Sequence, residues 1–153
     1  MYKHSQFGSV IALGSAAGFA MATLLLVTLS TATLHAAGWL VVALFVVLAV
    51  AFLLFWKLTV EVDAREVRFH FGIGIIGRTV AIADIVRCQR IRVRMWWGWG
   101  LHWTPSGWLY NVGGRDAIRL ELARERPVII GTDDAEALKR VIDERMAARA
   151  DSR

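Results

Sequence analysis

A stretch of fifty-three residues, from His4 to Trp56, contains no Lys, Arg, Asp or Glu. One charged side chain at the centre of a membrane helix costs about 2.5–3.5 kcal/mol, so membrane spans exclude charge. The stretch is longer than one crossing requires, because about 20 helical residues cross the hydrocarbon core. Small and polar residues interrupt it at 30–38. We therefore predict two membrane helices, over about 9–29 and 39–56, joined by a short uncharged turn.

The charged residues around this hairpin predict its orientation. Lys3 precedes the first span and Lys57 follows the second, while the turn between the spans is neutral. Basic residues that flank membrane spans stay on the cytoplasmic side. We therefore expect both termini to be cytoplasmic, together with a charged domain over 57–153 that follows a hairpin domain over 1–56.

A cleaved signal peptide is the alternative reading of the first span, since Ser30 and Ala32 resemble a cleavage site. However, the first apolar stretch is longer than the 7–15 residues of a usual signal core. Cys88 is the single cysteine of the chain, so no intrachain disulfide can form. That usage is typical of a reducing compartment.

Three small residues on one face of the first span indicate helix packing. Gly14, Gly18 and Ala22 follow one another at intervals of four, and small residues at this spacing let two backbones approach closely in lipid. The partner is either the second span or a neighbouring subunit, and the alternative is that small residues are simply common in spans.

The ends of the second span carry residues typical of the membrane interface. Trp39 and Trp56 stand at its two ends, where indole rings settle at headgroup level, and Lys57 can extend its ammonium group there. Because the hairpin holds no acidic or basic side chain, a proton relay or an ion path inside the membrane is a poor interpretation.

After Trp56 the hydrophobic period changes to two, which is typical of half-buried strands. Leu58, Val60 and Val62 alternate with polar residues, and similar segments recur along the chain. The pattern predicts seven short strands, over 58–62, 67–71, 78–82, 85–95, 109–112, 117–122 and 128–130.

The last segment returns to helical spacing. Asp133 and Glu136 match a capping box, in which the two side chains bond to the backbone N–H groups of the first turn. Leu138, Ile142 and Met146 then continue one apolar stripe. Seven strands followed by one amphipathic helix predict a small barrel or sandwich that the helix caps.

Four segments of this domain are similar to bacterial pleckstrin-homology-like domains. They are GIGIIGRTVAIADI at 72–85, GWGLHW at 98–103, GWLYNVGG at 107–114 and IGTDDAEAL at 130–138. Members of that family often follow a two-helix membrane hairpin. The resemblance implies an α+β membrane protein of the bacterial inner membrane, in which a transmembrane hairpin precedes a seven-stranded PH-like barrel or sandwich. It implies little about activity, because a fold does not define a function.

Counting strands predicts which connections face the bilayer. The first strand starts beside Lys57 without a linker, and antiparallel strands alternate in direction, so the connection at 72–77 and the segment after 95 fall on the membrane side. These are the most apolar connections of the domain, and exposed apolar segments mark contact surfaces. A protein partner fits such a surface as well as lipid does. The residues expected at the interface in these connections are Ile73, Ile75, Ile76, Trp96, Trp97 and Trp99.

A basic stripe leads to the same side. Arg90, Arg92 and Arg94 alternate along one predicted strand, so their side chains share a face. A basic residue near an anionic bilayer contributes about 1 kcal/mol of attraction. We expect the stripe to bind lipid or a partner, although such a pattern also occurs on an ordinary solvated face. Basic and aromatic residues together suit single-stranded nucleic acid too, but the domain is only weakly basic and we expect no nucleic-acid partner.

The sequence shows no catalytic, cofactor or metal pattern. Gly72, Gly74 and Gly77 spell G-x-G-x-x-G, but a strand follows them where a dinucleotide site requires a helix. The histidines have no cysteine or carboxylate at ligand spacing. We therefore expect a non-enzymatic protein without a cofactor.

Its expected role is to bind anionic membrane lipid, a membrane-protein partner, or both, through a domain that lies on the bilayer. The alternative is an accessory or scaffolding subunit of a larger membrane complex, with the hairpin packed on partner helices. Self-association remains open at this point.

Overall fold

The computed structural model of the chain describes residues 2–28, 31–94 and 100–151. Two long helices, α1 (Ser9–Thr28) and α2 (Thr31–Phe55), are followed by β-sheets and a C-terminal helix. A strand that the sequence analysis did not predict, β1 (Tyr2–Phe7), precedes α1. The chain is therefore α+β, with the helical pair inserted between its first strand and the rest of the domain.

Both long helices have the length and composition of membrane spans. The segments Ser9–Thr28 and Gly38–Phe55 have mean hydropathies of 2.2 and 2.9, and only 11% and 6% of their residues are buried. The core helix of a soluble protein would be mostly buried, whereas these helices expose apolar side chains along their lengths. Helix α2 begins at Thr31 rather than near Trp39, because the alanine-containing segment after Thr31 continues the helix.

The first sheet is antiparallel and has four strands. Strand β1 pairs with β2 (Lys57–Val62), which is followed by β3 (Glu66–Phe71) and β4 (Gly77–Ala81) in sequential order. The alternation read from the sequence is present, since every second residue of β3 is buried. A 3₁₀ turn at Ile82–Asp84 leads from this sheet to the next.

The second sheet has five strands in a non-sequential order. They are β5 (Ile85–Arg92), β6 (Gly100–Thr104), β7 (Gly107–Asn111), β8 (Asp116–Leu122) and β9 (Val128–Gly131). Their order is β5-β8-β9-β7-β6, and β7 and β9 are the parallel pair within it. The prediction of a seven-stranded barrel or sandwich is therefore corrected in two respects: the sheets are open rather than closed into a barrel, and they contain nine strands in the part of the chain that the structure describes.

The two strands that sequence reasoning missed have different causes. Strand β1 pairs with β2, from which it is separated by the whole hairpin, so no local pattern marks it. Strand β6 lies in a segment rich in Trp and Gly that was interpreted as a connection. It forms because Trp103 and Trp108 face each other across the β6–β7 hairpin, and aromatic cross-strand pairs stabilise a sheet.

One apolar core lies between the two sheets. Phe69 and Phe71 of the first sheet surround Tyr110 of the second, with ring centroids 4.7 and 5.9 Å from it. The C-terminal helix α3 (Ala135–Asp151) closes the core with Leu138 and Ile142, as its predicted apolar stripe required. The helix-capped arrangement was thus predicted correctly, although the sheets do not close.

The predicted capping box at the start of α3 is wrong. The carboxylate of Asp134, not Asp133, accepts the N–H of Ala137 at 3.4 Å. Asp133 instead pairs with the imidazole of His4, and Glu136 turns to the guanidinium of Arg90 at 2.6 Å. His4 and Arg90, both distant in sequence, therefore bind the two side chains that were expected to form the capping box.

Candidate membrane-contact surface

The two ends of the helical hairpin meet at one point of the first sheet. Phe7 and Lys57 are partners in the β1–β2 ladder, and the N–H of Gly8 donates to the carbonyl of Trp56 at 2.7 Å. A Cβ on Gly8 would come within 3.1 Å of the Phe55 carbonyl oxygen, so the chain passes closely here. The strand before the hairpin and the domain after it consequently lie on the same side of the hairpin.

Aromatic and basic side chains surround this junction. The ring of Trp56 lies 5.7 Å from the ring of Phe7 and 6.4 Å from the ring of Phe52, measured between centroids. The ammonium group of Lys57 lies 4.9 Å from the centroid of the Trp56 ring. The indole N–H of Trp56 is buried and has no hydrogen-bond partner among the described residues. Trp39, at the other end of the candidate span, is exposed.

The β3–β4 turn packs against the last turn of α2. The N–H of Gly72 donates to the carbonyl of Lys57 at 2.8 Å. Gly72 has φ +45°, and a Cβ there would overlap the carbonyl oxygens of Leu53 and Leu54. Glycine is required here both by the backbone conformation and by the close approach. The turn therefore lies at the hairpin end of the domain.

The isoleucines of this turn have two different environments. Ile73 and Ile75 are 61% and 73% exposed, whereas Ile76 is half-buried and packs against the core. Large exposed apolar side chains of this kind mark a contact surface, and here they lie beside the last turn of α2.

Strand β6 begins at the same end of the domain. Gly100, at the start of β6, has φ +101°, and a Cβ on it would be 3.8 Å from the ring of Phe55. Trp96, Trp97 and Trp99 precede Gly100 but lie outside the described residues.

The members of the basic stripe also differ. Arg90 binds Asp116 at 3.1 Å and Glu136 at 2.6 Å, and the hydrogen bond to Asp116 is the main cause that raises the pKa of Arg90. Its charge is therefore engaged within the domain.

Arg92, the last residue of β5, and Arg94 just after it are exposed. This end of β5 bonds to Arg115, and a Cβ on nearby Gly113 would be 3.9 Å from the carbonyl oxygen of Phe7, so it lies toward the hairpin.

Two residues of this surface were missed by sequence reasoning. Phe7 is exposed beside Trp56, and Arg115 is exposed next to the end of β5, where its carbonyl accepts the N–H of Val93 at 2.7 Å. Neither has a local signal, because both are brought to this end by pairing between distant strands.

The predicted small-residue face of α1 divides into two parts. Ala22 is fully buried, and a Cβ on Gly18 would be 2.9 Å from Cδ1 of Leu48 on α2. A Cβ on Gly14 would meet nothing within 4 Å. Gly18 and Ala22 therefore pack against α2, while Gly14 lies on an open face of the hairpin.

The single cysteine of the chain is held in an inert state. Cys88 is buried beneath α3, and burial raises the pKa of its thiol to about 12. Reactive cysteines have a lowered pKa and partial exposure, so this thiol has the character of a core side chain. Among the described residues, no cluster of three or more His, Cys, Asp and Glu side chains could hold a metal ion.

In comparisons with known proteins, no protein-family model, no curated protein and no solved structure matches this chain. The resemblance to pleckstrin-homology-like domains rests on the four sequence segments alone.

Proposed function

We propose that this chain is a non-enzymatic protein of the bacterial inner membrane whose PH-like domain lies on the cytoplasmic leaflet and binds anionic lipid. The observation that carries the proposal is the β3–β4 turn. It holds Ile73 and Ile75 outward at the hairpin end of the domain, where they would meet the bilayer if α1 and α2 cross it.

The magnitudes are sufficient for such a contact. Full burial of an isoleucine side chain is worth about 1.5–3 kcal/mol, and a basic residue near an anionic surface adds about 1 kcal/mol. Two isoleucines together with Lys57, Arg92 and Arg115 would then hold the domain flat. The hairpin already anchors the chain, so this energy has only to orient the domain.

The PH-like identity belongs to the same proposal. Two packed sheets with a C-terminal helix over their core are consistent with the resemblance. The non-sequential strand order of the second sheet and the extra strand β1 are features of this chain that the resemblance did not imply.

Lipid contact is tested on the full chain, because a fragment starting at Lys57 would lack β1 and expose the edge of β2. In a Cys88→Ser background, a bimane fluorophore is attached to Ile73→Cys, to Ile75→Cys or to the control Val86→Cys. Val86 is exposed at the far end of β5. In liposomes with brominated acyl chains, we expect quenching at 73 and 75 and little at 86. Equal quenching at all three positions would refute the bilayer contact.

The lipid class is tested with the same labelled proteins. Quenching at 73 and 75 should increase when phosphatidylglycerol replaces part of the phosphatidylcholine, and the increase should disappear at high salt. A response that does not depend on phosphatidylglycerol would leave an apolar contact without anionic recognition.

Orientation is tested in cells with a membrane-impermeant maleimide. Lys3→Cys and Arg124→Cys, again in the Cys88→Ser background, should both react only after the membrane is permeabilised. Reaction of either in intact spheroplasts would contradict the cytoplasmic placement.

An accessory subunit of a larger complex is the second candidate, and the open position of Gly14 favours it. A partner helix could approach this face of α1 closely. Purification in a mild detergent distinguishes the two functions. A stoichiometric partner that is lost with Gly14→Ile supports the subunit, whereas a chain that purifies alone contradicts it.

A further inference from the structure

Strand β4 has an unpaired edge. It is the last strand of the first sheet and has β3 as its neighbour on one side. The bonds from Phe71 N–H to Ile76 O and from Ile82 N–H to Arg65 O show which β4 residues bond to β3. Because antiparallel ladders alternate, the N–H and C=O groups of Thr79 and the N–H of Ala81 point away from the sheet, while the C=O of Ala81 caps the 3₁₀ turn at Ile82–Asp84.

A cleft of about 220 Å³ follows this edge. Its opposite wall is formed by Asp84, Leu122, Arg124 and Glu125, and the ion pair between Arg78 and Glu125 spans it. An extended backbone laid in the cleft could therefore reach the outward groups of β4, which is how an added strand binds a sheet.

Two exposed tryptophans lie beyond the same wall. The guanidinium of Arg126, next to Glu125, stands 5.7 Å from the ring of Trp103. Trp103 and its cross-strand partner Trp108 are 58% and 38% exposed. They lie near the β6–β7 turn, at the opposite end of β6 from Gly100, so the bilayer contact does not explain them.

The charged side chains on this surface indicate which charge a bound partner should carry. Arg78 and Glu125 neutralise each other, and Asp84 offsets Arg124 within the lining of the cleft. Arg126, exposed between the cleft and Trp103, adds one positive charge to this surface. Complementary charge favours an acidic partner and disfavours a basic one.

We propose that an acidic, extended peptide segment of a partner protein binds as a fifth strand on β4 and contacts the tryptophan pair. The backbone supplies hydrogen bonds to Thr79 and Ala81, while Arg124, Arg126 and the tryptophans select side chains. This site is distinct from the hairpin end, so it does not depend on the proposed lipid contact.

The probe is a phage-displayed library of linear twelve-residue peptides, selected against the full chain in nanodiscs. We expect the selected peptides to be rich in Asp and Glu, and a synthetic copy to slow amide exchange at Thr79 and Ala81. Selection of basic peptides, absence of binding at millimolar peptide, or protection at other sites would overturn the proposal.

Two substitutions separate backbone from side-chain recognition. Thr79→Pro removes an outward N–H that the β3–β4 ladder does not use, and proline is tolerated on an edge strand. We expect Thr79→Pro to weaken peptide binding about tenfold, because one central backbone hydrogen bond is lost and the proline ring hinders the approach of the added strand. Thr79→Val retains the N–H and should bind within about twofold of the original chain. Equal affinity of all three chains would refute strand addition.

Folding and self-pairing are checked independently. Reactivity of the buried Cys88 thiol in the Thr79→Pro chain would show that this variant is unfolded. In that case, amide exchange at Thr79 and Ala81 of the unsubstituted chain, with and without peptide, tests strand addition. A dimer of the unsubstituted chain that Thr79→Pro dissociates would mean that a second copy occupies the edge, and that result overturns the peptide proposal.

Discussion

The backbone N–H of Gly8 donates to the carbonyl of Trp56 at 2.7 Å, although forty-seven residues of helical hairpin separate the two. Directly beyond this bond, Phe7 and Lys57 continue as partners in a ladder that reaches Tyr2 and Val62. The hairpin thus leaves and re-enters one sheet through adjacent strands, so the hairpin and the domain cannot be separated without breaking the first sheet.

Gln6→Ala should destabilise the domain by about 1–3 kcal/mol, because it leaves buried backbone groups without partners. The Gln6 amide donates to the carbonyl of Gly131 at 2.9 Å and accepts the N–H of Asp133 at 2.8 Å. The measurement is the labelling rate of the buried Cys88 thiol in increasing urea. Lys3→Ala removes an exposed ion pair with Glu61 and is the control. Similar effects of the two substitutions would show that Gln6 does not hold β1 to the second sheet.

Gly72→Ala should be more destabilising than Gly74→Ala. Both glycines have positive φ, which costs an alanine about 1–2 kcal/mol. At Gly72 the added Cβ also overlaps the carbonyl oxygens of α2, whereas at Gly74 its nearest atom is Nδ1 of His70 at 3.7 Å. Cys88 labelling in urea measures both. If the two variants unfold alike, the turn does not pack on α2.

Gly18→Ile should disturb the hairpin, and Gly14→Ile should not. The first places a branched side chain against Leu48, while the second enters open space. Packing is measured by the rate of oxidative cross-linking between Phe19→Cys and Phe45→Cys, in a Cys88→Ser background, since the native rings lie 5.4 Å apart. We expect slower cross-linking only with Gly18→Ile. Slowing by both would contradict the division of the small-residue face.

Arg92→Gln should reduce the preference for phosphatidylglycerol more than Arg90→Gln does. Arg90 already binds Asp116 and Glu136, whereas Arg92 is exposed at the hairpin end. Loss of one basic residue near an anionic surface removes about 1 kcal/mol, which is about fivefold in relative affinity. The readout is bimane quenching at position 73 as phosphatidylglycerol is titrated. A larger effect of Arg90→Gln would place the lipid site nearer to α3.

Asp63→Asn should remove part of the acid sensitivity of the domain. The N–H groups of Arg65 and Glu66 donate to the Asp63 carboxylate at 2.8 and 2.9 Å, and these bonds lower the pKa of Asp63. A lowered folded-state pKa contributes stability that is present above the ordinary Asp pKa of about 3.9 and is lost as the pH falls through the folded-state pKa. The two chains should therefore differ at pH 7, and the difference should shrink as the pH falls below about 4 and disappear below the lowered pKa of folded Asp63. Urea unfolding at pH 7 and at a series of acidic pH values checks this, and a constant difference would contradict it.

Local patterns were enough to predict much of this fold. The uncharged stretch excluded a soluble surface and yielded two apolar helices, since each needs only about 20 residues of suitable composition. Period-two alternation located β2, β3, β4, β5, β7, β8 and β9, because it reports the burial of one strand face. The apolar stripe of α3 was readable for the same reason. The directions of these strands also predicted that the turn at 72–77 lies at the hairpin end, as the contacts of Gly72 with α2 show, while most of the second predicted connection lies outside the described residues.

Pairing between distant segments carries no such signal. No local sequence pattern near Tyr2 or Phe7 indicates that they pair with β2. Likewise, the side chain of Asp133 binds His4 rather than the first turn of its own helix. Arg90 and Arg92 look alike in the sequence, yet Asp116 and Glu136 engage only the first among the described residues. The burial of a residue's own face is a local property. Edge pairing, ion pairing and sheet order arise only when segments far apart in the chain compete for the same space and the same hydrogen bonds.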